Sequence, residues 1–212
     1  MNLKLFPLIA PLCLLLGGCA PQRPEQKFWH WFQDNEPSLY DFEGDQGRTF
    51  DRLSAALNKV NRNLTFEFGP KKGGRRDFVI SAGGIRDAFP AVEALYASAP
   101  PLPRWNVIKF RPRRNPMDIS LGGITVKAET VLVGVIPNGD KVGLIVAMPG
   151  YSHETSNAYK QVGYLMLDQA LGEYDVETHV GEITFVSTAD SGEKTVHLAQ
   201  LPKVVDAILA SK

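Results

Sequence analysis

Cysteine is almost missing from this chain. Only Cys13 and Cys19 occur, and none follows residue 19. Everything beyond that point therefore lacks disulfides, thiolate metal sites and a cysteine nucleophile, so its stability rests on a hydrophobic core. Long apolar runs are also scarce. Leu5 to Leu16 is too short to span a bilayer, which needs about 20 residues. Four histidines are present, without metal-ligand spacing. Glu154 follows His153, but Asn157 stands where an H-E-x-x-H motif needs its second histidine. G-x-S-x-G, G-x-G-x-x-G, P-loop and D-x-D-x-D-G patterns are all missing. No cofactor is implied. Net charge is zero over the whole chain, so any basic or acidic feature is one of distribution.

What is present begins at the N-terminus. Lys4 precedes the apolar run, and Leu16-Gly17-Gly18-Cys19 ends it. That order of features is a secretory signal. Its last four residues resemble the lipobox of bacterial lipoproteins. The resemblance implies removal of residues 1–18, acylation of Cys19 with palmitate-type chains, and anchoring to a membrane through that lipid. Ala20 stands where an aspartate is the usual inner-membrane retention signal. The resemblance thus implies the periplasmic side of the outer membrane. Residues 19–26 read as the lipidated cysteine and a polar tether that holds the domain off the bilayer, and 27–212 as one globular domain. Nucleic acid is not a partner expected in that compartment.

Beyond the tether the periodicity is first helical. Phe28, Trp31, Phe32, Leu39 and Phe42 share a face, with a break near Glu36 before Pro37. In the cluster FWHWF, Trp29 falls about 100° off that stripe and His30 on the far side. Those two are the residues expected to touch lipid or a partner. A second helix spans about 49–61. The period then becomes two: residues 64–68 and 77–81 read as a hairpin with a basic tip. A helix over about 88–97 follows, with Val92, Leu95 and Tyr96 inward, then a strand from Trp105. Residues 130–136 and 142–148 flank Asn138-Gly139, a strong hairpin signal. A helix over about 154–171 stops at Gly172. The spacing predicts a last strand over 180–187 and a closing helix over 202–211. The fold class is α+β: a mixed or mainly antiparallel sheet with helices packed against it. The order of elements admits two similar halves of the form helix-strand-strand-helix.

Charge is distributed unevenly. Residues 64–114 hold ten Lys/Arg against four Asp/Glu, net +6, and residues 115–212 hold six against twelve, net −6. Two readings fit: a basic face, or halves whose charges interleave. The candidate anion-binding residues are Lys71, Lys72, Arg75 and Arg76 in the hairpin tip, with Lys109, Arg111, Arg113 and Arg114. They read as one basic feature for anionic headgroups or another envelope polyanion, or as solvated charge. Gly83-Gly84, between a strand and a helix, is a second place for an anion, or simply a tight turn. Asp168, Glu173, Asp175, Glu177 and Glu182 could supply paired carboxylates or calcium oxygens, or only a charged surface. Ser152-His153-Glu154 adjoin in sequence, which is not the spatial triad that catalysis needs; Ser152 reads as a helix N-cap, or one residue from it.

The blocks FWHWF, LTFEFG, RRDFVISAGGI and LDQALGEYDVETHVGEITF resemble an uncharacterised bacterial family over most of the mature chain. The resemblance implies no activity and carries over no functional residue. The expected function is a lipid-anchored, non-catalytic binding or interaction module of the envelope, whose partner is an envelope protein or an anionic ligand. The alternatives are an envelope enzyme with a site around 151–179, and a structural lipoprotein linking envelope components.

Overall fold

The computed structural model describes residues 21–211. The signal over 1–18 and the lipidation of Cys19 lie outside the described residues. The first helix, α1 (Pro24–Asp34), begins earlier than the tether reading allows. Pro24 suits the first helical position, and Gln26 Oε1 accepts the Arg23 N–H at 3.1 Å. The tether is therefore shorter than expected. The chain breaks at Asn35, and α2 (Glu36–Tyr40) and α3 (Gln46–Asn58) follow.

The anticipated hairpin is β1 (Thr65–Phe68) with β2 (Arg76–Ser81), paired antiparallel. Helix α4 (Phe89–Ala97) leads to β3 (Trp105–Lys109), which pairs parallel to β2. A small hairpin, β4 (Ile119–Leu121) with β5 (Ile124–Val126), has no counterpart among the sequence expectations. Next come β6 (Leu132–Asn138) and β7 (Lys141–Met148), antiparallel. Their turn centres on Gly139-Asp140, one residue later than Asn-Gly implies, with the left-handed φ of 56° on Gly139. Helix α5 (Ser156–Leu171) ends at Gly172. A further helix outside the sequence expectations, α6 (Glu173–His179), precedes β8 (Val180–Ser187), which pairs parallel to β7. Short β9 (Val196–His197) joins β6, and α7 (Leu201–Ala210) closes the chain.

The fold is α+β, and it carries an internal correspondence. Each half is an antiparallel hairpin, then helix, then a strand parallel to the hairpin's second strand. The unit of repetition is thus hairpin-helix-strand rather than helix-strand-strand-helix. Each half has its own sheet and its own core. Phe32, Leu53, Phe78, Ile80 and Trp105 centre the first core; Val133, Val146, Met166, Leu167 and Leu201 centre the second.

Three sequence expectations are corrected. Trp29 is buried, not outward: it is 2% exposed and its Nε1–H donates to the Leu95 carbonyl at 2.9 Å. Its ring also packs edge-on against Phe78 of β2, so the buried face of α1 is wider than one stripe. Tyr96 is 39% exposed rather than inward, and its ring meets the Lys109 ammonium, 5.7 Å from the ring centroid. Ser152 is not the cap of α5; that position is Thr155, whose Oγ1 lies 3.0 Å from Ser152 Oγ in the preceding turn. Among the described residues, no helix is long and apolar enough to cross a membrane.

Candidate functional site

The parallel pairing of β2 with β3 decides what becomes of the basic residues. Arg76 lies opposite Trp105 and Ile80 opposite Lys109, so residues 71–76 and 109–114 sit at opposite ends of the first sheet. They do not form one basic feature. At the hairpin end, Lys71 Nζ is 2.6 Å from Asp41 and 3.6 Å from Glu43. Arg75 donates to the Trp105 carbonyl at 2.5 Å. Arg76 is 2% exposed, pairs with Glu43, and has its guanidinium 4.3 Å from the Phe42 ring centroid. Lys72 is exposed at the tip, where its backbone pairs with that of Arg75.

At the other end the chain leaves β3 through Phe110, whose φ of 61° is a left-handed value for a bulky residue. Such a conformation costs on the order of 1–3 kcal/mol and persists only where neighbours impose it. Here Phe110 donates its N–H to the Ile80 carbonyl at 2.7 Å, and its ring sits 4.4 Å from that of Phe89. The turn directs residues 111–117 across the end of α5 as a strap, in which the Arg114 N–H donates to the Gln169 carbonyl and the Met117 N–H to Gln169 Oε1, each at 2.7 Å. Arg111 reaches Glu67 at 2.7 Å and Asp168 at 3.0 Å. Arg113 reaches Asp175 at 2.7 Å, Asp206 at 2.8 Å and the Leu171 carbonyl at 2.7 Å. Arg114 reaches Glu67 at 2.5 Å, and Lys109 reaches Glu93 at 2.8 Å. The charges of the two halves interleave, and the strap arginines also neutralise the carbonyl end of α5.

Gly83-Gly84 does meet an anion, and that anion belongs to the protein. Glu173 is fully buried. Its Oε1 accepts the N–H groups of Ala82 at 2.9 Å and Gly84 at 3.2 Å, and its Oε2 accepts that of Arg111 at 3.0 Å. A buried carboxylate needs such donors, and three backbone N–H groups from the first half provide them. This contact ties the second half to the first.

Beside this tie lies a cleft of about 540 Å³. Gln161, Tyr164, Leu165 and Asp168 form one wall; they stand at i, i+3, i+4 and i+7 on α5 and so share a face. Gly83, Gly84 and Glu177 stand opposite, Leu121 comes from the β4–β5 tip, and Arg111 from the strap. A Cβ placed on Gly84 would meet Glu177 Oε1 at 3.3 Å, so Glu177 lies close against the turn. Burial raises the Asp168 carboxyl from its ordinary 3.8 to about 6, against the opposing pull of Arg111. Burial, then the charge of Glu173, raises Glu177. The lining combines carboxyl acceptors with the apolar surface of Leu121 and the half-exposed ring of Tyr164.

Five residues of the 151–179 stretch line this cleft, namely Gln161, Tyr164, Leu165, Asp168 and Glu177, but Ser152, His153 and His179 do not. Ser152 and His153 are exposed, and His179 Nδ1 is 3.3 Å from Asp175. Among the described residues, no group of three or more His, Cys, Asp or Glu side chains is arranged to hold a metal ion. The sequence offers Asp168 and Glu177 as carboxylate candidates but does not single out Gln161, Tyr164 and Leu165. Their helical spacing is a usable signal; what they face is not legible from it. Compared with known protein families, curated proteins and solved structures, the chain matches none of them.

Proposed function

We propose that this is a lipid-anchored cell-envelope protein, held at the periplasmic side of the outer membrane through Cys19, that works as a non-catalytic binding module. The lipobox resemblance supports the anchor. The observation that carries the binding reading is the cleft at the junction of the halves, whose size suits a small ligand. Its ligand presents hydrogen-bond donors, amine or hydroxyl, to Asp168 and Glu177, and a ring or alkyl face to Tyr164 and Leu121. The 71–76 and 109–114 cations are mostly engaged by internal acids, which weighs against an anionic ligand there.

The test is thermal unfolding of the purified full chain with amino-sugar oligomers, alkyl amines and simple polyanions. A donor-bearing compound should raise the melting temperature of the wild type. Glu177→Gln combined with Tyr164→Ala should abolish the rise. A rise confined to polyanions, and lost in Lys71→Ala/Lys72→Ala, would refute the cleft reading.

A second reading has one observation in its favour. Two carboxyls with raised proton affinity in one cleft are a pattern found at acid–base sites. An envelope enzyme would then use Asp168 and Glu177. Chemical conversion of the bound compound, lost in Asp168→Asn, would decide for it.

A further inference from the structure

A groove runs between α1 and α3, with a volume of about 340 Å³. Pro24, Lys27, Phe28 and Trp31 line it from α1, at i, i+3, i+4 and i+7, and Ala56 and Lys59 line it from α3 and its C-terminal end. We infer that this groove is the face the domain lays on the membrane, where Lys27 and Lys59 meet the anionic headgroups of phospholipids and Trp31 enters the interface. The inference rests on the anchored-lipoprotein reading above.

The first argument is reach. Four residues separate Cys19 from Pro24, so the start of α1 stays within about 18 Å of the lipidated cysteine at full extension. Pro24 itself lines the groove. The groove therefore opens at the end of the domain that the anchor holds near the bilayer, and charge and aromatic placement select it.

The second argument is charge. Lys27 and Lys59 are exposed, and neither has a carboxylate within ion-pair distance among the described residues. Most candidate cations of 71–114 are matched internally, whereas these two are left to an external anion. Glu25, the acid in the first turn of α1, lies about 100° round the helix from Pro24 and is not part of the groove.

The third argument is the aromatic. Trp29 and Trp105 are each 2% exposed, but Trp31 is half-buried and faces the groove. Tryptophan, with an apolar body and one N–H donor, partitions to the membrane–water interface. Basic residues beside it add attraction to an anionic surface that falls off within a Debye length.

The experiment uses the full-length protein purified from membranes. Mass spectrometry first establishes whether Cys19 is acylated. The protein is then reconstituted into phosphatidylcholine vesicles with or without phosphatidylglycerol, both containing dibrominated lipid, and tryptophan emission is followed. With phosphatidylglycerol, a fraction of the emission should be quenched. That fraction should disappear in Trp31→Phe, and should fall in Lys27→Glu/Lys59→Glu, in vesicles without phosphatidylglycerol, and at high salt. The comparison of lipids on the wild type does not depend on any variant folding. Acylated protein with no quenching, or with quenching that persists in Trp31→Phe, overturns the docking face while leaving the anchor intact. An unmodified Cys19 overturns both.

Discussion

The Glu173 carboxylate accepts the Arg111 N–H at 3.0 Å, while the Glu173 N–H donates to the Arg111 carbonyl, also at 3.0 Å. This reciprocal pair joins the strap after β3 to the first turn of α6. With the Ala82 and Gly84 donors added, one buried side chain holds the turn after β2 and the strap after β3 against the second half.

Glu173→Ala should therefore destabilise the protein strongly. It leaves three backbone donors without their acceptor, and each unsatisfied buried group costs about 1–3 kcal/mol, so a total of about 3 kcal/mol or more is expected. Glu173→Gln should cost less, because one oxygen can still accept from Ala82 and Gly84. Chemical denaturation midpoints of the two variants check the order.

Asp168 makes stability depend on pH. Its folded-state value of about 6 lies above the ordinary 3.8, so the folded state holds the proton more tightly than the unfolded chain. Its contribution is fully present below about pH 4 and is lost as pH rises to about 6. Above that, both states are ionised. The difference corresponds to about 3 kcal/mol as an order of magnitude. Unfolding free energies measured between pH 4 and 7 should fall with this slope, and Asp168→Asn should flatten it. An unchanged slope in the variant would assign the effect to other groups.

Arg113 joins α6, α7 and the end of α5 through Asp175, Asp206 and the Leu171 carbonyl. The site is partly open to solvent, so Arg113→Ala should cost only about 1 kcal/mol. The loss should shrink in high salt, where screening already weakens the pairs. Melting temperatures of wild type and variant in low and high salt test this.

Two glycines should respond in opposite directions. A Cβ at Gly163 would collide with Phe185 Cε1, inside the second core. Gly163→Ala should cost about 1–3 kcal/mol through overpacking. At Gly47, in the first turn of α3, an added Cβ would meet nothing within 4 Å. Gly47→Ala should stabilise by up to about 1 kcal/mol through helix propensity. Paired thermal melts would show both effects.

Much of the local structure is legible in the sequence. The alternation of Leu64, Phe66 and Phe68 and the Asn138-Gly139 signal both mark real hairpins, since strand period and turn chemistry act over a few residues. Gly172 is legible as the stop of α5, where its φ is 83°. Helix α6 is not, because its acidic composition reads equally well as a surface loop. Trp29 is misplaced by helical spacing, which locates one stripe, while the burial of Trp29 depends on α4 and β2, which supply the Leu95 carbonyl and the Phe78 ring.

The candidate site divides in the same way. The acidic residues of α5 and α6 are visible as chemistry, but their partners lie 57 and more residues away: Arg111 for Asp168, Ala82 for Glu173. The basic residues look like one feature because hairpin tip and strap are both rich in Lys and Arg. The parallel pairing of β2 and β3 sends them to opposite ends of a sheet.

The sequence by itself determined most of the elements, the α+β class and the absence of cysteine chemistry after residue 19. These follow from periodicity, turn residues and composition, which are local or global properties of a chain. Tertiary structure alone decided which charges are spent on one another, which aromatic of FWHWF stays accessible, and where the cleft opens. Those outcomes depend on contacts between segments far apart in the chain, and a buried carboxylate such as Glu173 is tolerable only once the distant N–H groups that satisfy it have been brought to its side.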